Sequence, residues 1–265
     1  PSAFVGYNLN KKNEVGVSLS RRINRPSYNQ LNPFKNLIDA FTVSAGNPYL
    51  KPELSYSFEL THTFDKRFTT KLSYSHTTDV IVNVLSRESE NDNVVIQTFR
   101  NLAKLDYYGL TLTAPFSVGN WLNSMNNATV YYGKYSGQLG STTLDAGMPT
   151  LNLNSNNTIS ISNSWKAELI GVYRSSEVYG FLEVDPIWSM SVGVQKQLWD
   201  KKATLKLNVS DVFFTSKAHG TTEMADYTEV FDQRRDSRVA TISFNYRFGR
   251  SQVAPARRRT GGAEE

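Results

Sequence analysis

The chain has no cysteine, only three histidines and a mean hydropathy of -0.42. No apolar run reaches the ~18 residues that a helical membrane span requires, which excludes a helical membrane protein. It does not exclude a β-barrel, whose strands need only ~10 residues of alternating character. The missing cysteine fits an oxidising compartment and the cytosol equally. His62, His76 and His219 form no HExxH-type helix and have no cysteine partners, so no metal site is expected. No strand–turn–helix elbow presents a nucleophile, and neither catalysis nor a cofactor is predicted. The net charge of +5 is modest and lies partly in Arg257, Arg258 and Arg259. Without a basic helix or a known binding module, nucleic acid is not an expected partner. The chain opens at Pro1 without a leader, which predicts a cleaved signal or a longer parent chain.

What is present is alternation. Leu54, Tyr56, Phe58, Leu60 and Phe64 alternate with Ser55, Ser57, Glu59, Thr61 and Thr63. Leu72, Tyr74, Val80, Val82 and Val84 alternate with Lys71, Ser73, Ser75, Thr77 and Asp79. Ala240, Ile242, Phe244, Tyr246 and Phe248 alternate with Thr241, Ser243, Asn245 and Arg247. Successive Cβ atoms in a strand point to opposite sides, so each segment has an apolar and a polar face. His62 and His76 fall in phase with the apolar residues. Pairing Phe64 with Phe68 across a turn sets Tyr56 opposite His76 and His62 opposite Thr70.

Connections alternate between short and long. Short ones fall at Lys11-Lys12-Asn13, Asp65-Lys66-Arg67, Gly119-Asn120, Ser164-Trp165-Lys166 and Asp200-Lys201-Lys202. Long polar ones run from Arg22 to Pro52, Arg87 to Asn93, Gln138 to Gly147, Ser175 to Glu183 and Ser216 to Arg235. Transmembrane β-barrels of the outer membrane have this asymmetry, with short periplasmic turns and longer extracellular loops. Phe64, Phe68, Trp121, Trp165 and Trp199 crowd the short turns, as an interfacial aromatic girdle requires. A soluble β-sandwich also alternates, but its strands usually run only ~5–6 residues.

The predicted fold is therefore all-β: an antiparallel up-and-down transmembrane β-barrel of about eleven strands, half of one with ~22 strands. Bacterial single-chain barrels have even strand numbers. With periplasmic short turns, the first and last strands both descend. The first half of the barrel is therefore expected on a missing N-terminal segment, or else an unseen partner completes the sheet. Residues 1–250 are assigned to the barrel and 251–265 to a flexible periplasmic tail.

Several stretches then resemble a known family. Ser20-Arg21-Arg22-Ile23-Asn24-Arg25-Pro26-Ser27-Tyr28, followed by Leu31-Asn32-Pro33-Phe34, resembles a loop entry of TonB-dependent outer-membrane receptors. Gly46-Asn47-Pro48-Tyr49-Leu50-Lys51-Pro52-Glu53 resembles their GNP-x-LKPE segment ahead of a strand, with Glu59 inside that strand. Asn101-Leu102-Ala103-Lys104 with Tyr108-Gly109-Leu110 is similar to their Asn…Gly-x-Glu strand, with Thr111 in place of the Glu. Asn208-Val209-Ser210-Asp211-Val212-Phe213 resembles a late N-x-x-D-x-F strand end, and Tyr246-Arg247-Phe248-Gly249 a closing aromatic strand.

The resemblance covers residues 15 to 250, the barrel part. It implies the outer membrane of a Gram-negative bacterium and import of a siderophore, peptide or glycan. Its expected partners are outer-membrane lipid, the missing barrel half and plug, TonB through that segment, and a surface lipoprotein or other complex subunits. The rival readings are a barrel that only builds or assembles an outer-membrane complex, and a soluble secreted β-protein. Arg21, Arg22, Arg25 and Tyr28 are candidate ligand contacts, or else fasten their loop to the rim. Glu59, Lys71, Asp79, Lys134, Lys206 and Arg247 are assigned to the polar, lumen-facing side.

Overall fold

The computed structural model describes residues 1–38, 40–87, 95–139, 142–223 and 228–248. The tail expected over residues 251–265 lies outside them. In chain order the elements are β1 (Ser2–Asn8), β2 (Asn13–Asn24), α1 (Tyr28–Leu31), β3 (Asn36–Leu37), β4 (Thr42–Ser44), β5 (Glu53–Phe64) and β6 (Phe68–Arg87). Then come β7 (Val95–Val118), β8 (Leu122–Leu139), β9 (Thr142–Ser160), β10 (Trp165–Arg174), β11 (Glu177–Tyr179) and β12 (Leu182–Val184). The last are β13 (Ile187–Leu198), β14 (Ala203–Val209), β15 (Lys217–Glu223), β16 (Thr228–Arg234) and β17 (Ala240–Tyr246).

Eleven of the strands form one path, β1-β2-β5-β6-β7-β8-β9-β10-β13-β14-β17. Every pairing on it is antiparallel and follows chain order. β1 and β17 end the path and do not pair with each other, so the described sheet is an open, partial barrel. The short connections all join strands at one end. Two contain a β-turn with positive φ at both central residues, as the type I′ hairpin turn that matches strand twist requires. Asp65 and Lys66 have φ of 52° and 54°, and Arg67 donates its N–H to the Phe64 carbonyl at 3.0 Å. Asp200 and Lys201 repeat this at 49° and 69°, with Lys202 N–H on the Trp199 carbonyl at 3.0 Å.

The register pairs Phe64 with Phe68, Tyr56 with His76 and His62 with Thr70, as the alternation requires. Leu60, Leu72, Leu110, Val130 and Leu151 form one cross-strand row on the apolar face. Thr61, Lys71, Thr111, Thr129 and Asn152 form the neighbouring row on the polar face. Aromatics bracket the apolar band. Tyr56 and Phe64, Tyr108 and Phe116, and Tyr173 and Trp165 stand eight residues apart, about 26 Å along a strand. That spacing fits the ~25 Å apolar band of a membrane barrel.

The structure departs from the alternation in four places. β6 to β9 contain between 18 and 24 residues each, about twice what crosses a bilayer. The predicted loop from Gln138 to Gly147 is therefore mostly strand, since β8 runs to Leu139 and β9 begins at Thr142. The long connections after β10 and β14 also contain structure. They hold β11, β12, β15 and β16, which form a second, four-stranded sheet.

The third departure is a β-bulge in β6. The register jumps between Thr77 and Val80, and Asp79 there has a φ of 55°. A bulge of this kind re-aims the following side chains. Val80 now shares the polar face with Thr77, and Val80, Val82 and Val84 are buried with Ala103 and Leu144. Phe181 of the second sheet's first turn packs on this cluster. Burial of each valine contributes about 1.5–3 kcal/mol.

The fourth departure is on the apolar face. Ser124, Asn126, Ser155 and Asn157 break the apolar row, but their side chains close a circuit. Ser124 Oγ donates to Asn157 Oδ1 at 2.6 Å, and Asn157 Nδ2 to Ser155 Oγ at 2.9 Å. Ser155 Oγ then donates to Asn126 Oδ1 at 2.7 Å, and Asn126 Nδ2 to Ser124 Oγ at 2.8 Å. Each group has a partner within the circuit, which removes most of the penalty for polar atoms in an apolar setting.

Candidate functional site

Long connections fold back onto the strand ends, and the motif residues fasten them. Gly46 leaves no room for a side chain, since a Cβ there would lie 2.6 Å from the Asn32 carbonyl oxygen. Its N–H donates to that same oxygen at 2.8 Å. Asn47 Nδ2 donates to the Phe99 carbonyl at 3.0 Å. Asn101 accepts from Lys51 N–H at 2.7 Å and donates to the carbonyls of Lys51 and Asp79 at 2.9 and 2.7 Å. Glu53 accepts from Ile81 N–H at 2.7 Å and from Asn24 Nδ2 at 2.8 Å. The GNP-x-LKPE segment thus clamps the β2–β5 connection to the β6 bulge and to β7.

The basic-aromatic candidates do not converge. Arg21 lies over the Tyr56 ring at 5.5 Å on the apolar face. Arg22 pairs with Ser55 on the opposite face. Tyr28 begins α1 and is 77% exposed. α1 is capped by Ser27 and Gln30, each side chain bonded to the other's backbone N–H, a capping box legible as Ser27-x-x-Gln30. Arg25 lies between β2 and α1, with no side-chain contact drawing it to the other three.

The six polar-face candidates divide. Glu59 and Lys71 are joined at 3.2 Å, and Lys206 is joined to Glu168 of β10 at 2.9 Å. Arg247 continues the phase of Ser243 and Asn245. Lys134 is corrected: the register places it beside Asp106 and in phase with Val130 and Tyr132, on the apolar face. It pairs with Asp145 at 3.1 Å. Asp79 is corrected as well, since it occupies the bulge and has no partner in the β6–β7 register. On the apolar side His76 Nδ1 bonds Asp106 Oδ1 at 2.8 Å, and Tyr74 OH donates to the same oxygen at 3.1 Å. Among the described residues no group of acids and histidines is arranged to hold a metal.

One constellation lies outside all these candidates. Tyr107-Tyr108-Gly109 on β7 pairs antiparallel with Tyr131-Tyr132-Gly133 on β8, so Tyr107 opposes Gly133 and Tyr131 opposes Gly109. Gly109 leaves space for the Tyr107 ring of its own strand, whose Cε1 would lie 2.8 Å from a Cβ there, and the Tyr107 and Tyr131 rings stack at 5.2 Å and 29° on the polar face. Glu177 of β11 reaches down to them and is 8% exposed. Its carboxylate accepts from Tyr131 OH and from Tyr179 OH at 2.5 Å, and forms an ion pair with Arg174 Nη1 at 3.5 Å. Burial and the Glu177 bond push the Tyr179 phenol up to about 12, so it remains a donor at neutral pH. A cavity of about 370 Å³ opens here, lined by Tyr107, Tyr131, Tyr135, Met148, Asn152 and Glu177 among others. The sequence signal was the repeated Tyr-Tyr-Gly. Nothing in the sequence marked Glu177 as its partner.

Comparison with known proteins agrees with this architecture. Residues 1–246 match the model of the "outer membrane protein beta-barrel family". No curated protein matches the chain. The fold is similar to the siderophore receptor PirA of Pseudomonas aeruginosa, with a TM-score of 0.58 and 18% identity over 83% of this chain and 40% of that one. PirA of Acinetobacter baumannii gives a TM-score of 0.53 at 16% identity, over 94% of this chain and 41% of that one. The ferric enterobactin receptor PfeA of P. aeruginosa, bound to enterobactin, gives 0.52 at 18%, over 80% of this chain and 35% of that one. The chain thus spans well under half the length of the receptors it resembles.

Proposed function

Because the chain belongs to the outer membrane protein beta-barrel family, and so sits in the outer membrane of a Gram-negative bacterium, we propose that it is the transport barrel of a substrate importer. The observation that supports this reading most is the overlay with siderophore receptors across most of this chain and only 35–41% of theirs. The rest of such a barrel and a plug would then be supplied by further sequence, and TonB would engage through that part. The polar face carrying Glu59, Lys71, Lys206 and Arg247 lines the lumen in this reading. Two of its ion pairs, Glu59–Lys71 and Glu168–Lys206, are made within the wall. The lumen occupant therefore meets charges already neutralised. Residues 251–265 are assigned to a periplasmic tail, and a surface lipoprotein is a candidate outer partner. No chemical transformation is assigned to the chain.

The test is accumulation of labelled ferric siderophores, peptides and glycans in cells with and without the full-length protein. Deletion is expected to abolish uptake of one class, and a protonophore is expected to do the same in the parent strain. Unchanged uptake of all three would refute the transport reading and favour an assembly role. Orientation is tested separately, because the chain has no cysteine of its own. Asn29→Cys and Ser216→Cys are expected to react with an impermeant thiol reagent on intact cells, and Lys201→Cys to be protected. Labelling at Lys201 with protection at Ser216 would invert the topology.

A further inference from the structure

We infer that Arg234, Arg238 and Lys217 form a binding site for a phosphate monoester at the outer rim of the barrel. The site does not depend on what the barrel transports. Only its side of the membrane rests on the orientation given above. Phe214 is its centre, with a φ of 56°, a left-handed conformation that is a genuine outlier for a bulky residue. Its ring gathers two guanidiniums. Arg234 Cζ, on β16, lies 4.3 Å from the ring centroid, and Arg238 Cζ, just ahead of β17, lies 5.0 Å from it. The two Cζ atoms are therefore less than about 10 Å apart, the screening length of exposed charges at ~0.1 M salt. Lys217 of β15 is the direct register partner of Arg234. Side chains so opposed have Cβ atoms about 4.5–5.5 Å apart, and like charges there repel.

Among the described residues, none of the three cations forms an ion pair with a carboxylate. The neighbouring acids are engaged elsewhere. Asp211 accepts from Thr215, Ser216 and Ser237, and Asp185 pairs with His219. Asp232 stands two residues along β16, opposite His219. All three cations are exposed. Arg238 donates from Nη1 to the Val212 carbonyl at 3.5 Å, and a guanidinium has five N–H donors. Three cations gathered without a counter-charge suit an anion with several oxygens. A phosphate monoester carries about −1.5 to −2 charges at neutral pH and three strong acceptors, more than a carboxylate offers. Guanidiniums fork onto its oxygens, and a lysine adds a point charge. The depth is set by Phe213, whose ring meets Trp188 at 5.7 Å. Trp188 is the register partner of Tyr173 in the outer girdle, and such girdles lie at the level of lipid headgroups. A headgroup phosphate and a soluble one both reach this level.

The full-length protein in phosphatidylcholine nanodiscs tests the site. Line broadening in phosphorus NMR reads binding of inorganic phosphate. Native mass spectrometry of nanodiscs doped with phosphatidic acid reads retention of a lipid monoester. Saturable binding of at least one probe is expected. Binding of inorganic phosphate identifies a site for solutes, and retention of phosphatidic acid alone a site for headgroups. Arg234→Gln and Arg238→Gln are each expected to weaken binding about ten-fold. Arg234→Lys keeps the charge but loses the fork, and its loss is expected to be smaller. Lys217→Gln leaves the Phe214 contacts intact and is expected to weaken binding about three-fold. It serves as the comparison if the arginine variants fold poorly. Lys201→Gln removes a cation at the opposite end of the barrel and is expected to bind as wild type does. No saturable binding of either probe overturns the proposal, as does wild-type affinity in all the Gln variants at the site. Equal loss in Lys201→Gln also overturns it, because net charge alone would then attract the anion.

Discussion

Leu60→Arg and Leu112→Arg are each expected to destabilise the inserted barrel by about 2–4 kcal/mol, the cost of a cation on the lipid face at the bilayer midplane. The two positions are chosen by the girdles. Leu60 stands four residues from both Tyr56 and Phe64, and Leu112 four from both Tyr108 and Phe116. Each is therefore midway through the apolar band. A guanidinium there has too short a stem to reach water at either interface. Thr61→Arg and Thr111→Arg lie one residue from these positions, but the register puts them on the row that contains Lys71. A cation on that face meets water or polar groups, and the loss is expected to remain below about 1 kcal/mol. Urea titration of refolding into lipid vesicles, read by gel mobility, measures both. Equal loss from the two sets would mean that the faces are misassigned.

The same residues show how far the sequence could be read. The alternation fixes a face wherever a strand is regular, because a period of 2 leaves no other choice. Tyr56 opposite His76 and His62 opposite Thr70 followed from one turn and simple counting. Counting fails after Asp79. A bulge adds a residue without disturbing the printed alternation, so Val80, Val82 and Val84 read as membrane-facing although they are buried on the polar side. Only the positive φ of Asp79 and the cover given by Phe181 distinguish the two cases, and both are tertiary facts. Lys134 failed for a related reason. It lies beyond Tyr132, outside the apolar band, where the apolar face need no longer be apolar. Polarity there no longer reports which face a residue occupies. The motifs behaved in the opposite way: Gly46-Asn47-Pro48 and Asn101 were legible as patterns. Their work is fastening, visible only once Asn32, Asp79 and Phe99 are brought beside them.

Asp211→Ala is expected to lower stability by about 3 kcal/mol, with the loss concentrated in the β14–β15 connection. Asp211 follows the end of β14 and is 3% exposed. Its φ of 41° is a left-handed conformation that Asp tolerates better than most residues. One carboxylate oxygen accepts from Thr215 N–H at 3.0 Å and Thr215 Oγ1 at 3.2 Å. The other accepts from Ser216 N–H at 3.0 Å and Ser237 Oγ at 2.5 Å. Removing the carboxylate leaves several donors without partners, and a single unsatisfied buried group costs about 1–3 kcal/mol. Burial alone would raise the carboxyl's pKa, but the bonds from Ser237, Ser216 and Thr215 outweigh it and hold it below the ordinary value. A pKa lower in the folded than in the unfolded chain stabilises the fold above the unfolded value, about 4. That contribution disappears as the pH falls through the lower, folded value. Asp211→Asn keeps the shape but not the charge. It is expected to be less stable than wild type at pH 7, and the gap should begin to narrow as the pH falls below about 4. Urea midpoints across pH 3 to 8, with limited proteolysis of the connection, measure this. A gap between wild type and Asp211→Asn that stays constant down to pH 3 would show that the carboxylate's charge has no part in holding β17 to the loop.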